Sequence, residues 1–177
     1  LLFAYRMLGA GWLIMKTEGS LQLKAVLWAK NSLWLTAAGV LAISIATPWV
    51  SQRIFDKWFS FPNLLMLLPI PVMTFSLFIV IGRSLSRLPT RFAQGNQYGA
   101  GVPFASTVGI FLLSFYGLAY SLFPWLVIDQ LDIWQAASSP EALMVIFYGV
   151  VVVFPVIIGY TIFAYWVFWG KSTKLHY

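Results

Sequence analysis

Residues 142–170 contain no charged side chain, and Lys171 follows at once. A run of that kind is long enough to cross a bilayer, whose hydrocarbon core takes about 20 apolar residues of α-helix. Residues 32–50, 63–82 and 103–128 repeat the pattern. Lipid offers no hydrogen bonds, so each segment has to bond its own backbone N–H and C=O groups, and a helix does this locally. The apolar runs therefore predict an all-α fold, a polytopic membrane helix bundle. Composition agrees, since 60% of residues are hydrophobic and only 9% are charged, where a soluble domain carries about a quarter charged.

Residues 1–15 are apolar apart from Arg6, with no basic stretch ahead of them and no small-residue cleavage site behind. They read as the end of a transmembrane helix and not as a signal peptide. The expectation is four complete transmembrane helices plus one partial N-terminal helix, with spans at 1–15, 32–50, 63–82, 103–128 and 142–169. On this reading residues 1–177 are a single membrane domain and the C-terminal part of a longer subunit. The chain has no cysteine, which removes disulfides, thiolate metal sites and thiol nucleophiles.

A net charge of +6 would suggest nucleic acid in a soluble chain, but the basic residues alternate loop by loop. Residues 16–31 hold Lys16, Lys24 and Lys30, residues 83–101 hold Arg83, Arg87 and Arg91, and the tail holds Lys171 and Lys174. The intervening loops, 51–62 and 129–141, carry Arg53 and Lys57 together with Asp56, Asp129, Asp132 and Glu141. Short loops rich in Lys and Arg stay cytoplasmic. The pattern therefore predicts a multi-pass protein of the cytoplasmic membrane, C-terminus cytoplasmic, with lipid and no nucleic acid as partner. Trp49, Trp58, Phe59, Trp125 and the stretch from Trp166 to Trp169 fall where spans end, as an interfacial aromatic belt does.

Ionisable groups inside a membrane are costly and often functional. Arg6 alone qualifies: it lies ten residues before Lys16, roughly 15 Å along a helix. It either snorkels on a displaced or tilted helix, or pairs with an acidic group or an anionic cofactor group in a missing N-terminal half or another subunit. Pro69 and Pro71, Pro124, and Pro155 are expected to interrupt three spans as packing kinks. Ala38, Ala42 and Ala46, Ala105 with Gly109, and Gly117 with Ser121 recur at four-residue spacing, which permits close helix contact.

Catalytic constellations are scarce. The only histidine, His176, lies in the tail, and Met7, Met15, Met66, Met73 and Met144 read as core or lipid contacts. Asp129 and Asp132 form a D-x-x-D pair that reads as solvated loop charge. Hydroxyls without a histidine base give no hydrolase triad, and no glycine-rich phosphate loop occurs. No catalytic, cofactor-binding or metal-ligating residue is assigned.

Residues 9–19 read GAGWLIMKTEG and residues 160–171 read YTIFAYWVFWGK, with Phe123, Pro124 and Trp125 followed by LDIWQAASS at 131–139 between them. In this order the three stretches resemble subunit II of cytochrome bd-type quinol oxidases, including the cyanide-insensitive branch. Read without the family, Gly19 suits a left-handed helix end and Ser20 a cap for a short segment 21–30. The same physical reading sets Lys16 against lipid phosphate and lets Glu18 accept bonds from loop amides. Tyr160, Thr161, Tyr165 and Trp166 offer polar groups near the cytoplasmic membrane face.

The resemblance implies a respiratory complex that oxidises membrane quinol and reduces oxygen to water. It implies b-type and d-type haems in a partner, the haem-bearing subunit I, none in this chain, and quinol as the complex's substrate. This chain would then be a scaffold that packs against subunit I. Two other readings compete: a fragment of a secondary transporter, suggested by the prolines and Arg6, and a lipid-binding or assembly-only membrane protein.

Overall fold

The computed structural model describes residues 1–127, 130–168 and 170. Ile128, Asp129, Trp169, Lys171, Lys174 and His176 lie outside the described residues, and with them the D-x-x-D pair as a pair and the basic tail. The chain forms two compact units, Leu1–Phe123 and Pro124–Gly170. Four helical stretches are long and apolar enough to cross a membrane, Gly19–Val50, Asn63–Ala93, Val102–Leu122 and Pro140–Val167, which is the helical architecture the apolar runs predict.

The first unit holds α1 (Leu2–Lys16), α2 (Gly19–Val50), α3 (Gln52–Phe59), α4 (Asn63–Leu67), α5 (Pro69–Ala93) and α6 (Val102–Leu122). Helix α1 packs on α2 and α6, and α5 packs on α6 and α2. The core repeats at helical spacing: Met7, Ala10 and Ile14 of α1 meet Ala25, Val26 and Ala29 of α2, Ile81, Leu85 and Leu88 of α5, and Ile110 of α6. Small residues bring two of these helices unusually near. A Cβ on Gly11 would stand 3.0 Å from the Phe104 Cα, so α1 and α6 touch backbone to backbone there.

Segment 21–30 is not a separate short helix. It continues into the span as one 32-residue helix, and Ser20 caps nothing because the helix begins at Gly19 after Glu18. Gly19 itself has φ +68°, the left-handed geometry that glycine adopts without a steric cost. One of the three proline expectations fails. The Asn63–Ala93 stretch is interrupted at Leu68, between α4 and α5, where Pro69 opens α5 and Pro71 sits in its first turn, while Pro124 follows the end of α6 and breaks nothing. Pro155 does lie inside a helix, as do Pro48 and Pro89.

The second unit is a two-stranded antiparallel ribbon, β1 (Trp125–Val127) and β2 (Leu131–Asp132), followed by α7 (Pro140–Val167). The Asp132 carboxylate accepts the amides of Trp134 at 2.9 Å and Gln135 at 2.7 Å, folding the chain back after the ribbon. Ser139 caps α7 by accepting the Ala142 amide.

Candidate functional site

Two polar knots close the ends of the first unit. At one end, the last carbonyls of α1 lack intrahelical partners. Thr17 donates its amide and its hydroxyl to the Leu13 carbonyl, the latter at 2.7 Å. Gln22, 2% exposed, donates to the Ile14 carbonyl at 2.8 Å and to the Gln97 side-chain oxygen at 2.9 Å. Gln97 belongs to the loop between α5 and α6, so one amide ties the α1–α2 turn to that loop. The end of α5 is a Schellman motif: Gly95, φ +72°, donates to Phe92, and Asn96 donates to Arg91. Arg91 in turn donates to the Tyr98 carbonyl at 3.1 Å, and the Lys16 ammonium stands 5.2 Å from the Trp12 ring.

At the other end Lys57 of α3 donates to the Tyr120 carbonyl at 2.5 Å and the Phe123 carbonyl at 2.7 Å. These are unsatisfied carbonyls at the C-terminal end of α6, where the helix dipole also favours a cation. The ammonium lies 4.5 Å from the Tyr120 ring. Loss of water by burial holds the Lys57 pKa below its ordinary value; the carbonyls and the ring act in the opposite sense, favouring the charged form. Trp58 adds a bond from its indole N–H to the Ser121 hydroxyl at 3.0 Å, so it is a helix clamp as well as an aromatic at a span end.

The positions singled out in the sequence do not converge on one cavity. Arg6 is exposed on α1. The Gln22 to Ile14 bond fixes α1 and α2 as antiparallel neighbours, and Arg6 lies eight residues before Ile14 as Lys30 lies eight after Gln22. Each is about 12 Å along its helix from that bond, which brings Arg6 and Lys30 to similar heights along the α1–α2 pair. Ala38, Ala42 and Ala46 are exposed and Gly39 faces open space, so this small-residue face packs on nothing in the first unit. Gly109 and Gly117 do meet neighbours, Leu77 at 3.0 Å and Ile70 at 3.5 Å from an added Cβ.

On α7 no residue is buried. Tyr160, Tyr165 and Trp166 are 72%, 56% and 71% exposed, and Thr161 is exposed with them. Sequence reasoning did not anticipate Gln22, Gln97 or Lys57. The usable signal was a polar residue amid the apolar neighbours of 21–29, and a lone lysine beside aromatic residues at a span end. Nor did it separate Ser32 and Thr36, whose buried hydroxyls have no hydrogen-bond partner among the described residues, from the helix hydroxyls that bond back to a carbonyl one turn earlier.

The sequence model of the cytochrome bd terminal oxidase subunit II family matches residues 1–168. The chain belongs to that family. No curated protein sequence matches the chain. A cytochrome bd subunit II belongs to a haem-containing membrane oxidase that includes a subunit I, so the donor set of this chain bears on where haem is held. Haem iron takes His, Met, Cys or Tyr as axial ligand. Met7 is enclosed in the core, the Met15 sulfur stands 3.6 Å from where a Cβ on Gly101 would lie, and Met66, Met73 and Met144 are exposed. Among the described residues no group of three or more His, Asp or Glu side chains gathers to hold a metal ion.

Proposed function

We propose that this chain is a non-catalytic membrane subunit of a cytochrome bd-type quinol oxidase, which couples quinol oxidation to the reduction of oxygen to water. Its task is to pack against and support the haem-bearing subunit I. That partner holds the b-type and d-type haems and the quinol chemistry; this chain supplies helix surface. The complex sits in the bacterial cytoplasmic (inner) membrane, with the basic turns of the first unit and the C-terminus on the cytoplasmic side.

The observation that carries the reading is α7, apolar on every side and without one buried residue. A helix hydrophobic all round needs apolar surroundings on all its faces, which lipid and a partner subunit supply together. The open small-residue face of α2 supports the same role, because close helix association in lipid relies on such faces.

The test is a reduced-minus-oxidised spectrum of the complex purified through this subunit, repeated after the subunits are separated. Bands of b- and d-type haem that follow the partner and leave this chain colourless are expected. Haem retained by this chain alone, or a complex without haem, overturns the proposal.

A further inference from the structure

On α5 the residues opposite the core form one outward strip. Val72, Met73 and Val80 are 52%, 54% and 42% exposed, and the same face continues into Arg83 and Arg87, both exposed. The two arginines are one helical turn apart, and neither contacts an acidic group among the described residues. The polar hydrogens nearby are already used: Ser76 donates to the Val72 carbonyl at 2.8 Å, Ser86 to Gly82 at 2.9 Å and Thr90 to Arg87 at 2.8 Å. The strip therefore switches from apolar, with Ser76 its one hydroxyl and that one bonded to its own helix, to cationic within about 4.5 Å of helix length, three residues at 1.5 Å each. The switch coincides with the end of the apolar run at Gly82. A contact of Leu33 with Gly82 sets α2 alongside, so Lys30 is level with the same two arginines.

We propose that this strip binds one anionic phospholipid, its acyl chains along Val72, Met73 and Val80 and its phosphate held by Arg83 and Arg87. Guanidinium groups match phosphate oxygens in paired hydrogen bonds, and their stems lie well along apolar surface. The apolar half of the strip is built of valine and methionine side chains, where a face built for a partner helix is small. The same chain shows that contrast, because Ala38, Gly39, Ala42 and Ala46 of α2 form the open small-residue face. Charge complementarity points the same way, since Glu18 is the only acid in residues 16–31 and 83–101. The inference does not depend on which subunit holds haem.

The experiment is lipid titration of the delipidated, intact complex by native mass spectrometry, with phosphatidylglycerol against phosphatidylcholine. The variants are Arg83→Gln, Arg87→Gln, the double variant, and Arg53→Gln as a control away from the strip. Near a membrane surface each basic residue contributes about a fivefold factor in affinity for anionic lipid. The double variant is expected to bind phosphatidylglycerol about 25-fold more weakly at its tightest site, with phosphatidylcholine binding and the Arg53→Gln control unchanged. Unchanged phosphatidylglycerol affinity in the double variant overturns the proposal. So does release of a partner subunit with lipid binding intact, which would assign the arginines to a partner's carboxylates.

Discussion

Replacing Gly11 by alanine isolates the backbone contact between α1 and α6. The added Cβ would stand 3.0 Å from the Phe104 Cα, 3.1 Å from its nitrogen and 3.4 Å from its Cβ. Two of those atoms are backbone, so no rotamer change relieves the overlap and α6 itself has to move. Overpacking of this kind costs about 1–3 kcal/mol, offset by up to about 1 kcal/mol because alanine favours a helix over glycine. Gly9 provides the internal control. It lies two residues away on the same helix, and its Cβ would meet nothing within 4 Å, so Gly9→Ala keeps the helix gain without the clash. The two variants should therefore differ by about 1–3 kcal/mol, roughly 2–12 °C in midpoint for a chain of this size. Thermal unfolding of the purified complex, followed by intrinsic tryptophan fluorescence, measures the difference. Equal midpoints for Gly11→Ala and Gly9→Ala would refute the backbone contact.

Gln22→Leu strands the Ile14 carbonyl and the Gln97 amide in a buried setting, at about 1–3 kcal/mol; the same thermal assay should show the loss, and a melt equal to wild type contradicts it. Lys57→Met removes both bonds to the end of α6 along with the favourable cation at its dipole, and should destabilise by about 1–2 kcal/mol, with limited proteolysis near Phe123 rising first. Ser32→Ala and Thr36→Val each delete a hydroxyl without a protein partner, so neither should lower the midpoint. Thr107→Val, which loses a 2.7 Å bond to the Pro103 carbonyl, should lower it by about 1 kcal/mol. A drop in the first pair as large as in Thr107→Val would mean that Ser32 and Thr36 are bonded after all.

The helical architecture was legible because lipid permits few alternatives, so the long uncharged runs are mostly helix; the expected 103–128 span nevertheless ends at Leu122, and Trp125–Val127 form a strand instead. Gly19 was legible too, since a glycine between two apolar runs marks a left-handed turn. The register of α1 against α2 was not, because it is fixed by a buried glutamine reaching a carbonyl eight residues back. The role of Pro124 failed for a related reason. A proline's effect depends on whether it falls inside a helix or beyond its end, and the apolar pattern around Pro124 does not mark that boundary. Lys57 escaped notice because loop lysines are usually solvated; only the fold brings it to the end of α6.

The central claim, that this subunit supports haem chemistry without ligating haem, is tested most directly by removing every soft or imidazole donor it has. One variant carries Met7, Met15, Met66, Met73 and Met144 each changed to Leu and His176 to Ala; Met-to-Leu exchanges in a core usually cost less than about 1.5 kcal/mol apiece. The reduced-minus-oxidised spectrum of the assembled complex is then recorded. Unaltered b- and d-type bands are predicted, and the loss or shift of any haem band would contradict the account.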